Sequence, residues 1–132
     1  MDQRTRKAKR VLAVQQQLSR IEQEKLARLQ RRLGELEAEQ RELISALNAD
    51  HALHGLFLDT MARRLGVIAE EMAAVAREKD MQSRRAIEQT TRAKLAQRLA
   101  ERTEDEARRA EDRRELLEVI ERFLGRPGTS LP

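Results

Sequence analysis

From Leu26 onward the apolar positions fall at Leu26, Leu29, Leu33, Leu36, Leu43 and Leu47, with Gln40 in the one polar slot. The steps alternate between three and four, which is a coiled-coil seam sustained for three heptads. Upstream, Val11, Val14, Leu18 and Ile21 repeat that spacing in a different frame. The eleven residues from Leu18 to Leu29 therefore predict a stutter that unwinds the supercoil locally. Together these runs predict a first helix over about residues 4–48. A second tract opens with Leu65, Ile68, Met72 and Val75 and thins through Met81, Ile87, Leu95 and Leu99. It recovers as Leu116, Leu117, Val119, Ile120, Phe123 and Leu124. Gly125 suits a helix C-terminus and Pro127 cannot continue one, so the second helix spans about 61–124 and residues 126–132 form a disordered tail.

Between the two tracts lies NADHALHGLFLDT, residues 48–60, which holds both histidines of the chain. Asn48 and Asp50 compete for backbone hydrogen bonds and Gly55 weakens a helix, while Asp59 or Thr60 suits a restart. The expected tip is therefore about 49–60. The resulting fold class is all-α: two long helices in an antiparallel coiled-coil hairpin, one domain over residues 1–125 and elongated as a monomer. Each helix can bury the other's stripe within one chain. An uninterrupted helix in a parallel dimer is the alternative. Two registers of the hairpin stay open. A turn near residue 52 sets Val11 opposite Ala93 and leaves residues beyond about 100 overhanging. A folded tip over 49–80 sets Val11 and Leu18 near Ile120 and Arg113. The apolar concentrations VLAV and LLEVIERFL, one at each end of the chain, suit the second register better.

Composition supports helices over a compact core. Charged residues make up 38% of the 132, aromatics 2%, and there is no Trp, Tyr or Cys. Phe57 and Phe123 alone can supply large buried aromatic area. Without cysteine there are no disulfides or thiolate chemistry, and the apolar runs are too short for a membrane span or a signal peptide. The expected location is cytoplasmic. The net charge of +4 is concentrated at the start, in Arg4, Arg6, Lys7, Lys9 and Arg10 against Asp2; the other 22 basic and 22 acidic residues cancel. Such a basic patch suits nucleic acid or anionic lipid, or simply a solvated first turn.

Little in the chain suggests catalysis. His51 and His54 are three apart, but no further His or Cys exists to complete a zinc site, so no metal is expected. Carboxylates such as Glu70, Glu71, Glu104, Asp105 and Glu106 lie in charge-dense helix, without a pocket to separate their pKa values. The expectation is a protein that is not an enzyme and takes no cofactor or small-molecule substrate. The remaining signal is Leu56, Phe57 and Leu58, consecutive apolar residues that cannot all face one helix. They serve either as a plug for the tip or as a docking point.

In the segments RKAKRVLAVQQQLSRIEQEKLARL and RRELLEVIERFL the chain resembles the FliJ family and its YscO counterparts, the coiled-coil stalks of flagellar and type III protein export. The resemblance covers nearly the whole length but rests on architecture, and the short interruption at 48–60 departs from it. It implies an antiparallel coiled coil that couples a hexameric export ATPase to an export gate. The paired ends (Val11, Val14, Leu18 with Leu117, Ile120, Phe123) would enter the ATPase, and Leu56, Phe57 and Leu58 would touch the gate-forming protein. Membrane association would come only through partners. A generic coiled-coil scaffold, or a nucleic-acid-associated protein using the basic N-terminus, is the alternative, and direct nucleic-acid contact is not expected.

Overall fold

The computed structural model of the chain describes residues 2–49 and 55–125. The two expected helices pack against each other as an all-α hairpin, with no strand among the described residues. Helix α1 runs Gln3–Ala49 and helix α2 runs Gly55–Leu124. Asp2 caps α1: its carboxylate accepts the Arg4 N–H at 3.4 Å, and its carbonyl accepts the Arg6 N–H at 3.0 Å. Helix α2 starts about six residues earlier than expected, so Leu56, Phe57, Leu58, Asp59 and Thr60 are helical and not part of an open tip. At the far end the Gly125 N–H bonds the Glu121 carbonyl at 2.7 Å, closing α2 where the sequence indicated. The expected tail, residues 126–132, lies outside the described residues.

The residues that α1 turns inward extend the leucine seam without a break. Thr5, Ala8, Leu12, Gln15, Ser19 and Glu22 lead into Leu26, always by steps of three and four, and all are buried or half-buried. The expected stutter does not occur. Val11, Val14, Leu18 and Ile21 sit one position off this frame and are exposed. On α2 the inward positions start with Met61, Leu65, Ile68, Met72 and Val75 and continue through Lys79 and Gln82 into Ala86, Gln89, Ala93, Ala96, Ala100 and Thr103. Each helix thus carries one unbroken heptad frame whose residues change from large and apolar to small and polar.

The chain divides into two compact units, Leu18–Thr90 and Met1–Gln17 with Thr91–Pro132. In the first, Leu36 and Ile68 are fully buried, 0% exposed. Arg32 pairs with Glu71 at 3.0 Å, and Arg64 binds the Glu39 carboxylate. Farther along, the Gln82 amide donates to the Glu22 carbonyl at 3.0 Å and to its carboxylate, and the Ser19 and Thr90 hydroxyls lie 3.4 Å apart. As α1 numbers rise the α2 numbers fall, so the helices are antiparallel. Those buried polar groups are satisfied, which is the condition for tolerating them in a seam.

In the second unit the seam is thin. Ala8, Ala96 and Ala100 are buried, and Thr5 donates to the Thr103 carbonyl at 3.4 Å. Ion pairs flank it: Arg4 with Glu106 at 3.5 Å and Lys9 with Glu104 at 3.7 Å. These contacts realise the register with a turn near residue 52 and exclude the one that sets Val11 near Ile120. Matching apolar concentration to apolar concentration selected the wrong alignment. The residues that fit are mostly small or hydrogen-bonded; of VLAV only Leu12 turns inward, and LLEVIERFL is exposed throughout.

Candidate interaction surfaces

Because Thr5 meets Thr103, α1 ends where α2 still has some twenty residues to run. Beyond Ala107 every described residue of α2 is exposed. Viewed down this segment, Leu116, Leu117, Ile120, Phe123 and Leu124 cover about a third of the helix circumference, with Val119 at the margin. Phe123 is 65% exposed and Leu124 74%. An amphipathic face this wide normally belongs against a partner. Leu117, Ile120 and Phe123 therefore form a surface, but not as paired ends: Val11 and Val14 lie opposite the Ala-rich part of α2, and Leu18 belongs to the other unit.

The heptad frame reveals a second apolar surface. Val11 follows Arg4 by one heptad and Leu99 precedes Glu106 by one heptad, so the Arg4–Glu106 ion pair marks the side on which both lie. Val14 and Leu95 belong to the same two stripes, and all four are exposed. Lys9 and Glu104 mark the opposite side, which carries Arg6, Gln16, Gln97 and Glu101 and is polar apart from Ala13. Leu95 and Leu99 look scattered among charges in the sequence. They become a surface only once the frame is known.

The five N-terminal cations do not stand alone. The facing stretch of α2 carries Glu101, Glu104, Asp105 and Glu106 beside Arg98 and Arg102, and two of these acids hold Arg4 and Lys9. Arg6, Lys7 and Arg10 have no ion-pair partner among the described residues. Three cations interrupted by the acids of a mixed-charge stretch make a poor match for a phosphate backbone, which rewards a continuous basic surface.

At the start of α2, Phe57 is 59% exposed and Leu58 is 43% exposed. The side chain of Leu56 and both histidines fall outside the described residues. Leu58 is in frame with Met61 and Leu65 yet is exposed, and Phe57 lies off the frame. Among the described residues no three His, Cys, Asp or Glu groups gather as metal ligands. Among the described residues the one carboxylate displaced from its usual titration range is Glu22: the Gln82 amide lowers it most, desolvation opposes this, and Lys25 adds a smaller lowering. That is a structural role within the seam.

No family model matches the chain, and no curated protein or solved structure matches it either. Among the described residues no helix is long and apolar enough to cross a membrane.

Proposed function

We propose that this chain is a non-enzymatic, cytoplasmic coiled-coil stalk or cochaperone of a flagellar or type III protein-export ATPase, coupling the ATPase ring to the export gate. The observation that carries the reading is the unpaired end of α2. There the apolar face of Leu116, Leu117, Ile120, Phe123 and Leu124 has no partner among the described residues. The ATPase contact in this proposal is made by a single helix end, in place of the two paired ends expected from the sequence. Charges interspersed along that helix keep it soluble in a polar ring without fixing it to one subunit, as a rotating or regulating stalk requires. The gate contact is assigned to Phe57 and Leu58 at the other end of α2, whose side chains are exposed. The function acts by helix-on-protein contact alone and uses no cofactor or small-molecule substrate.

The test is direct binding to a purified export ATPase from the same genome. The reading expects binding, stimulation of ATP hydrolysis, and loss of both in Ile120→Glu with Phe123→Glu. Phe57→Ala with Leu58→Ala should impair secretion while leaving ATPase binding intact. If the unaltered chain neither binds nor stimulates the ATPase, the stalk reading fails and a general coiled-coil scaffold replaces it. The nucleic-acid alternative has less support, because acids on α2 face the basic N-terminus.

A further inference from the structure

We infer that the end of α2 docks on the Val11–Leu99 side of a second copy of this chain, and that the exchange is reciprocal. Helix α2 is continuous from Gly55 to Leu124, so residues 107–124 run away from their own Val11, Val14, Leu95 and Leu99. At about 1.5 Å per residue the apolar face lies roughly 20–30 Å past the end of α1. It reaches a surface of this kind only on another molecule.

Three properties match the two surfaces. The first is spacing. Val11 and Val14 are three apart and Leu95 and Leu99 four apart, while Leu116, Ile120 and Phe123 step by four and then three. A helix with that stripe seats as a third member of the coiled coil, in the groove beside the existing pair. The second is charge. The apolar side is rimmed by Lys7, Arg92 and Arg102, none of which has an ion-pair partner among the described residues. The end of α2 carries Glu115, Glu118 and Glu121, equally unpaired, against a single base, Arg122. Of the four bases before them, Arg108 pairs with Asp105 at 2.8 Å and Arg114 with Glu111 at 3.4 Å, whereas Arg109 and Arg113 have no ion-pair partner among the described residues, so the acidic excess is confined to residues 115–122. Acid on the last two turns of the incoming helix therefore meets base around the seat.

The third is extent. In a two-fold pair each chain contributes both its helix end and its seat, roughly the 20–30 residues per side of a standard interface. Such an isologous arrangement closes on itself and gives a dimer, not a filament. The opposite, polar side of the same unit offers no comparable seat.

The dimer stands on these surfaces alone. Its consequence rests on the stalk reading: the same helix end cannot serve a second copy and the ATPase at once. Self-association would then hold the chain in a form that cannot engage the ATPase, released by dilution or by competition from the partner.

The test is light scattering of the full chain across about 1 µM to about 1 mM. The expected mass rises from 15.3 kDa to twice that value, and added salt shifts the rise to higher concentration. Ile120→Glu with Phe123→Glu, and separately Val14→Glu with Leu99→Glu, should each weaken dimerisation by about 100-fold or more. All four side chains are exposed in the monomer, so helical content by circular dichroism should not change. Mixing the two variants restores one intact contact of the two, and partial dimer should return. A mass of 15.3 kDa throughout overturns the inference. So does dimerisation that survives the Ile120 and Phe123 changes, or that ignores the Val14 and Leu99 changes, since the helix ends would then pair with each other. No ATPase enters this experiment, so its failure leaves the stalk reading to its own test.

Discussion

Replacing Leu36 with Ala tests the heptad frame through its most buried residue. Leu36 is 0% exposed and belongs to the same unit as Ile68, also 0% exposed. The change removes about three carbon groups, worth roughly 2.4 kcal/mol of transfer free energy. The cavity left behind adds to this, and Leu→Ala changes in cores cost about 2.7–5 kcal/mol. A two-helix structure can relax toward the gap from its solvent side, so the lower end, about 3 kcal/mol, is expected. The matched control is Leu18→Ala. Under a frame that stutters at Leu18 it should cost as much as Leu36→Ala. In the continuous frame Leu18 is 41% exposed, and its loss should cost less than about 1 kcal/mol. Urea unfolding followed by helical ellipticity, at low micromolar protein, reads both values. Equal costs, or a larger one at Leu18, would refute the frame.

Smaller changes follow the same logic. A Cβ at Gly34 or Gly66 would meet nothing within 4 Å, so Gly34→Ala and Gly66→Ala should each stabilise the helices by about 0.5–1 kcal/mol, visible as a higher Tm. Gly125→Ala should not, because its Cβ would lie 2.9 Å from the Glu121 carbonyl. Glu22 titrates below its usual value of 4.5, so the stability it contributes is present above that pH and is lost as pH falls through the lowered value. Thermal melts should therefore show a steeper acid-side loss in the unaltered chain than in Glu22→Gln; identical pH profiles would count against the Gln82 link. Leu117→Ala with Ile120→Ala should leave the unfolding free energy of the dilute monomer within about 0.5 kcal/mol, because neither side chain is buried. A larger loss by urea titration would mean the segment packs against something in its own chain.

The large apolar half of the seam was readable directly. Leu26 to Leu47 and Leu65 to Val75 announce both helices and their inward faces, and Gly125 announces the end. The small half was not. Thr5, Ala8, Ser19 and Glu22 lie in the same frame, yet hydrophobicity alone favours Val11, Val14, Leu18 and Ile21, one position away. What selects the true frame is long-range: the hydrogen bond from Thr5 to the Thr103 carbonyl and the Gln82 amide on Glu22, polar pairings with no hydropathy signature. The early start of α2 was missed because Asn, Asp and Gly near residue 50 signal a break without fixing where it ends. The candidate surfaces inherit this error. Leu117, Ile120 and Phe123 were visible as an apolar stripe, but that they stand unpaired depends on the register, and so does the grouping of Leu95 and Leu99 with Val11.

Everything proposed for the end of α2 depends on the register that leaves it free, and disulfide mapping tests that register most directly. The chain has no native cysteine to interfere. The Ser19 and Thr90 hydroxyls are 3.4 Å apart, so thiols at these two positions start close together and need only a small shift to reach the roughly 2.05 Å of a disulfide bond. Ser19→Cys with Thr90→Cys should close within a single chain under mild oxidation at low protein concentration, while Leu18→Cys with Arg113→Cys should stay reduced. Closure of the Leu18–Arg113 pair within one chain, with Ser19 and Thr90 left open, would contradict the account.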